Sequence, residues 1–185
     1  AVMNNPQLRE AYNANLPTIT QYYAELAQDQ GVFEKFKQLR NSAEFENFSR
    51  ARKTIVDNEL RDFRLGGAEL PPEKKQRFLR IQEELSALES RFSDNLLDAT
   101  NDFSLHVENA GELTGIPEDV LQTAKELAKK DGSTGWIFTL HAPCYQPVMQ
   151  YAANRGLRET MYRAYGTRAS EFGQPEWDNT TLMDE

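Results

Sequence analysis

Cysteine and histidine, the residues most often used to bind metals or attack substrates, are scarce in this chain of 185 residues. The single cysteine, Cys144, cannot form an internal disulfide, which favours a reducing, cytoplasmic location. The two histidines, His106 and His141, are followed by VENA and APCY. Neither therefore belongs to a His-Glu-x-x-His helix, which would place two imidazoles and a carboxylate base together around zinc. We predict no catalytic residue, no cofactor-binding residue and no metal ligand in this chain.

Long apolar runs and basic clusters are also missing. No stretch of about 18 apolar residues could span a membrane, and the first residues lack the charged and apolar regions of a signal peptide. The formal net charge is −8, and no block of five or more basic residues offsets it. We therefore expect neither nucleic acid nor a membrane as a partner. The sequence also lacks the Gly-x-Ser-x-Gly elbow of nucleophilic catalysis and a glycine-rich phosphate loop with its lysine.

What the sequence does contain is a succession of amphipathic helical patterns. Hydrophobic residues make up 39% of the chain and charged residues 27%, a balance typical of helices with one apolar stripe. We predict a mostly α fold over residues 1–185: a helical bundle with a long antiparallel α-hairpin and a small two-stranded β ribbon. The first predicted helix covers residues 6–29, with Pro6 at its start, Pro17 as a kink and Gly31 as its stop.

The predicted α-hairpin covers residues from about 32 to 100. Its first arm, residues 32–65, is interrupted near Asn41 and Ser42, and Gly66 and Gly67 then turn the chain. Its second arm begins at Pro72, because proline is favoured at the first position of a helix. The apolar residues of this second arm follow the a/d spacing of helices packed nearly antiparallel: Phe78, Ile81, Leu85, Leu88 and Phe92.

A strand, a helix and a second strand are predicted between about residues 102 and 140. Apolar residues alternate with polar ones from Phe103 to Val107 and again from Trp136 to Leu140, which is the period of a half-buried strand. The helix between them ends at Gly132. After a turn at residues 141–143, a C-terminal helical arm is predicted over residues 147–170.

Two groups of polar residues offer alternative functional interpretations. His106, His141 and Cys144 could meet across adjacent strands as a metal site, but half-exposed histidines and an unreactive thiol are the favoured interpretation. The arginines of the final arm could bind a peptide carboxylate. Local ion pairing, such as that of Glu159 with Arg163, is favoured for them. These arginines are Arg155, Arg158, Arg163 and Arg168.

Several stretches together resemble one family. The sequences NELRDFRLGGAELPPEKKQRF, LSALESRFSDNLLDAT, TLHAPCYQPVMQYAANRGLRETMYRAYGTRAS and EWDNTT occur in this order. They are similar to consecutive parts of the thimet oligopeptidase family of zinc metallopeptidases, in its bacterial oligopeptidase A branch. The chain starts without methionine and stops at TLMDE within a helical pattern, so we expect a piece of the N-terminal, non-catalytic part of such a protein.

The resemblance implies a mostly helical zinc metalloendopeptidase that degrades short peptides inside a deep channel. Its zinc ligands and its other catalytic residues would lie beyond residue 185, so the resemblance assigns no functional residue here. It implies that this chain forms one wall of the channel, with zinc held only by the parent protein. Its partners would be short peptides and the missing catalytic domain, and exposed apolar helix faces could make the piece self-associate. The alternative is a stand-alone helical adaptor that binds a protein partner.

Overall fold

The computed structural model describes residues 5–171 and 173–184. Its described residues are mostly helical, with one two-stranded antiparallel sheet, which confirms the predicted fold class. The chain divides into two compact units, Ala1–Ser90 and Arg91–Glu185. The elements in chain order are α1 (Pro6–Ala27), α2 (Gln30–Arg40), α3 (Ala43–Glu46), α4 (Arg50–Leu65), α5 (Pro72–Asp102), β1 (Leu105–Val107), α6 (Glu118–Asp131), β2 (Trp136–Phe138), α7 (Ala142–Tyr151) and α8 (Arg155–Thr167).

The boundary between α1 and α2 lies earlier than the sequence pattern indicates. Helix α1 runs through Pro17 and ends at Ala27, and α2 begins at Gln30. Gly31 therefore lies inside α2 instead of stopping the first helix, so that prediction was wrong. The physical reason is Asp29, whose carboxylate accepts a hydrogen bond from the Val32 N–H at 2.9 Å and so caps the new helix.

The core of the first unit forms around α2 and α4. These two helices are in close contact. The buried residues of this core belong to α2, α3, α4 and the loop that follows α4, and they include Phe33, Phe45, Leu60 and Phe63. The interruption predicted near Asn41 and Ser42 is confirmed by the end of α2 and the short helix α3. Pairing α2 with α4 buries apolar side chains of both helices.

The predicted hairpin of residues 32–100 has a different set of observed contacts. In the first unit, α5 hydrogen bonds to α1 through Thr20 and Ser86, whose hydroxyl oxygens lie 2.9 Å apart. The Ser90 hydroxyl also donates to the Asn13 side-chain oxygen at 2.9 Å. Packing of α4 along α5 as one long hairpin stays a prediction.

The second unit is organised around the β ribbon and α6. In the antiparallel pairing, Leu105, His106 and Val107 lie opposite Phe138, Ile137 and Trp136. Helix α6 contacts β2 and ends at Gly132, whose φ of 80° is the left-handed conformation of a helix end. The predicted order of strand, helix and strand is confirmed at the level of these elements.

The predicted helical arm of residues 147–170 is two helices, and the first begins earlier. Helix α7 starts at Ala142, with Pro143 in its first turn, so part of the predicted turn at 141–143 is helical. The chain leaves the helix at Ala152 and re-enters at α8, where Asn154 caps the Gly156 N–H at 2.9 Å. The break is fixed by a tertiary hydrogen bond from the Ala153 N–H to the Thr114 carbonyl at 2.8 Å.

A buried polar contact holds the last described segment against the second part of α5. The Asn95 side-chain amide donates to the Asn179 side-chain oxygen at 2.8 Å, and the Asn179 amide donates to the Phe92 carbonyl at 3.1 Å. Both asparagines are buried. The Asn179 N–H also binds the carbonyl of Ala169, at 2.8 Å, and Ala169 has a φ of 57°. Buried amides need such partners, so this contact defines the path of the segment.

Candidate functional site

An open concavity in the first unit lies between α1, the end of α4 and α5. It has a volume of about 440 Å³ and is lined mainly by apolar side chains, among them Ile19, Tyr23, Leu65, Phe78 and Leu85. Thr20, Ser86 and Glu89 contribute polar atoms. A concavity of this composition can accept apolar side chains of a partner, but it offers no pair of groups arranged for acid–base or nucleophilic chemistry.

A second cluster lies between α7 and α8. The rings of Tyr145 and Tyr165 are stacked, with centroids 4.0 Å apart and planes inclined by 13°. The Arg168 guanidinium carbon lies 3.7 Å from the centroid of Tyr165. Two planar groups this close to one ring must lie on its opposite faces, so Tyr165 is sandwiched between Tyr145 and Arg168. This stack joins the two helices, and both faces of the Tyr165 ring are already occupied by side chains of the protein.

The stack changes the acidity of one phenol. Desolvation raises the pKa of Tyr145 above 10.0, with smaller raising contributions from Tyr165 and Tyr162 and a lowering one from Arg168. The sequence does not reveal this cluster, because Tyr145 and Tyr165 are 20 residues apart on different helices and helical periodicity carries no information across that distance.

The three residues considered for a metal site have other partners or lie at the surface. A ring nitrogen of His106 is hydrogen-bonded to the carbonyl of Thr134, and His141 is exposed at the start of α7. The Cys144 sulfur accepts a hydrogen bond from the Thr139 N–H at 3.3 Å, and burial raises the pKa of its thiol. A neutral, half-buried thiol is a poor nucleophile and a poor ligand.

Zinc, which the resemblance implies for the parent protein, has no matching set of ligands among the residues that the structure describes. Over residues 5–171 and 173–184, no three His, Cys, Asp or Glu side chains are close enough to hold a metal ion. Zinc sites need three or four such ligands in tetrahedral geometry. The expected absence of catalytic residues, cofactor-binding residues and metal ligands stays a prediction for the whole chain.

Three of the four arginines considered for carboxylate binding, Arg158, Arg163 and Arg168, bind local groups. Arg163 forms the predicted ion pair with Glu159 at 2.9 Å, and both side chains are exposed. Arg158 donates to the carbonyl of Ala152. Arg168 donates to the carbonyl of its neighbour in the stack. In α7 and α8 these contacts serve helix ends and packing, and they leave the interpretation of a carboxylate-binding cluster without a geometric basis.

The helices of the described residues were compared with the dimensions of a bilayer only in length and apolar character. None of their helices combines sufficient length with sufficient apolar character to cross a bilayer.

Comparisons with known proteins give a consistent assignment. A family model described as Neurolysin/Thimet oligopeptidase, N-terminal domain, matches residues 1–75. Oligopeptidase A of Haemophilus influenzae is 47% identical over 187 aligned positions, which cover 100% of this chain and 28% of the relative. Oligopeptidase A of Escherichia coli is 43% identical with the same coverage. The probable cytosolic oligopeptidase A of Arabidopsis thaliana is 36% identical over 100% of this chain and 27% of the relative. The chain thus spans less than a third of the length of these curated relatives.

Proposed function

The chain belongs to the thimet oligopeptidase family and matches the N-terminal part of its oligopeptidase A members, and from this premise we propose that it forms one wall of the substrate channel of a zinc metalloendopeptidase. The parent protein would hydrolyse short peptides, and zinc would be held by residues outside this chain. The 185 residues would contribute shape and substrate contacts without chemistry of their own.

One observation carries this proposal. The whole chain aligns with proteins named oligopeptidase A, at 42–47% identity in the three bacterial relatives. Its histidines and its cysteine supply no zinc site among the described residues. We infer that this helical part of the peptidase confines the substrate, in keeping with the alignment and with the absence of a metal-holding group among the described residues. We also propose a cytoplasmic location, in keeping with the single cysteine.

A comparison of peptide cleavage tests the catalytic part of the proposal. The full-length protein and the isolated 185-residue chain would each receive zinc and a short internally quenched peptide. We expect chelator-sensitive cleavage by the full-length protein and only background fluorescence with the isolated chain. Chelator-sensitive cleavage by the isolated chain at a rate near that of the full-length protein would contradict the proposal.

Photocrosslinking tests the wall itself. A short peptide with a photoreactive residue would be bound to the full-length protein from which zinc has been removed, and the crosslinked positions would be mapped by mass spectrometry. We expect crosslinks both within residues 1–185 and outside them, because a channel has two walls. Crosslinks confined to the region outside residues 1–185 would refute the wall assignment, and competition by excess unlabelled peptide controls for nonspecific labelling.

A stand-alone adaptor is the second candidate, and the exposed apolar side chains of α1 favour it. Its discriminating observation is the reading frame that follows the codon of Glu185. A downstream His-Glu-x-x-His sequence favours the peptidase, whereas a stop codon favours the adaptor.

A further inference from the structure

Helix α1 exposes its apolar stripe along its whole length. None of its 22 residues is buried. The large apolar side chains of the stripe, here called the α1 tyrosine face, are each 47–63% exposed: Leu8, Tyr12, Ile19, Tyr22, Tyr23 and Leu26. They recur at helical spacings of three, four and seven residues, which is the pattern of a surface that packs against another helix. Six such side chains on one helix are a contiguous feature, unlike single exposed leucines.

The α1 tyrosine face is also depleted of charge. Helix α1 has three charged residues among 22, namely Arg9, Glu10 and Glu25. Helix α4, also in the first unit, has eight among 16: Arg50, Arg52, Lys53, Asp57, Glu59, Arg61, Asp62 and Arg64. Solvent-facing helices carry charges, whereas the centres of protein interfaces lose them and gain tyrosine. Three of the seven tyrosines of the chain are on α1, so its composition is that of an interface.

The neighbouring surface of α5 continues the apolar character. Ile81 and Leu85 are 42% and 46% exposed. The hydrogen bonds of Thr20 with Ser86 and of Asn13 with Ser90 hold α1 beside this part of α5. The concavity of about 440 Å³ between them includes Ile19, Tyr23 and Leu85. Two adjacent helices with a shared groove form a surface that a further helix or helix pair can fill.

We propose that in the full-length protein the α1 tyrosine face is covered by an apolar helical surface of the same polypeptide, from the part that lies outside residues 1–185. This inference rests on the proposed function, since it requires the longer protein. The alignment leaves room for such a partner, because the chain covers only 28% of the relatives' length. A covalently linked partner is present at a high effective concentration and at equal stoichiometry, as a permanently apolar surface requires.

A second copy of the chain is a weaker occupant on electrostatic grounds. Each copy has a formal net charge of −8, so two copies repel each other, and the nearly uncharged α1 face offers no compensating ion pairs. A transiently bound substrate is also a poor occupant, since it would leave the whole stripe exposed to water between turnovers.

Site-specific photocrosslinking in the full-length protein tests this inference. Tyr23 would be replaced by p-benzoylphenylalanine, with Tyr162, which is 63% exposed on α8 beside the charged residues Glu159 and Arg163, as the matched control position. From position 23 we expect crosslinks within one polypeptide to residues outside 1–185, at a yield at least tenfold above that of the control. A dominant dimer band, or a yield equal to that of the control, would overturn the proposal.

A stability measurement provides the second readout. Tyr23→Lys should lower the thermal unfolding midpoint of the full-length protein by at least twice the shift caused by Tyr162→Lys, because only the former would bury a charge. Equal shifts would count against the covered face. Peptide cleavage by the unmodified full-length protein is recorded in parallel. Cleavage combined with a failed crosslink refutes this inference alone, whereas absence of cleavage refutes the proposed function.

Discussion

In the second unit, the ribbon and helices α6, α7 and α8 enclose Phe138, Leu140, Val148 and Met161, each exposed by no more than 1%. In the first unit, the buried core is confined to α2, α3, α4 and the loop that follows, and α1 buries none of its residues. The second unit therefore places its apolar stripes against one another. The first unit leaves one whole stripe open.

The contrast separates two uses of the same amphipathic pattern. In α8, Leu157, Met161 and Ala164 follow the helical spacing and are buried within the unit. In α1 the same spacing produces an exposed surface with few charges. Periodicity thus identifies which side of a helix is apolar, and tertiary structure decides whether that side forms a core or an interface. Substitutions in the 185-residue chain can test this contrast.

The largest expected effect is that of Phe138→Ala. Its side chain is fully buried in the core of the second unit, so its removal leaves a cavity and should lower the free energy of unfolding by about 3–5 kcal/mol. Tyr23→Ala on α1 is the matched exposed aromatic substitution and should change it by less than about 0.5 kcal/mol. Urea denaturation followed by circular dichroism measures both, and similar costs for the two variants would remove the contrast between the units.

Asn179→Ala should have the next largest effect. The substitution removes the partner of the buried Asn95 amide and one donor to the Phe92 carbonyl, at a cost of about 2–3 kcal/mol. Hydrogen exchange should become faster over residues 173–184, while α2 and α4 keep their protection. Asn58→Ala, at an exposed position of α4, is the control. If this control lost protection over residues 173–184 to a similar degree, that result would be evidence against a local role for Asn179.

Gly66→Ala and Gly166→Ala should have effects of opposite sign. A Cβ atom at Gly66 would lie 2.6 Å from the Cβ of Ala27, so the end of α1 must shift, at a cost of about 1–2 kcal/mol. A Cβ at Gly166, near the end of α8, would have no atom within 4 Å, and alanine should stabilise the helix by about 0.5 kcal/mol. Denaturant midpoints measure both, and stabilisation by Gly66→Ala would show that α1 is not held at this point.

The smallest expected effect is a pH dependence at Asp178. The Thr180 hydroxyl and N–H donate to this carboxylate, at 2.5 and 2.8 Å, and hold its pKa below the ordinary value of 3.8. A lowered folded-state pKa contributes stability above the unfolded-state value, and that contribution is lost as the pH falls through the folded-state value. The stability difference between the protein and Asp178→Asn should therefore narrow below about pH 4. Denaturation at a series of pH values measures it, with Glu176→Gln as control, and a difference independent of pH would contradict the assignment.

The sequence predicted much of the fold because many signals are local. Pro72 begins α5, Gly132 ends α6, and the alternation around residues 103–107 and 136–140 marks the ribbon. Each of these signals acts through the backbone of a few neighbouring residues. They predicted the order and type of the elements without information about packing.

Helix boundaries that depend on distant contacts were not predicted. The break between α7 and α8 depends on Thr114, which binds the Ala153 N–H from far along the chain. The start of α2 was missed although its signal is local, because Asp29 caps the Val32 N–H and Gly31 lies within the helix, whereas glycine is more common at helix ends. The candidate surfaces also depend on tertiary structure. The sequence shows the apolar stripe of α1, but it shows neither the exposure of that stripe nor the groove between α1 and α5.

The distribution of tryptophan gives the chain a built-in optical label for one unit. Both tryptophans, Trp136 in β2 and Trp177 in the short 3-10 helix Pro175–Trp177, belong to Arg91–Glu185, and Ala1–Ser90 has none. Fluorescence excited at the red edge of protein absorption therefore reports the environment of the second unit alone. Far-ultraviolet ellipticity includes the helices of both units. If the two signals change at different denaturant concentrations, the units unfold separately, and the difference between the curves isolates the unfolding of the first unit.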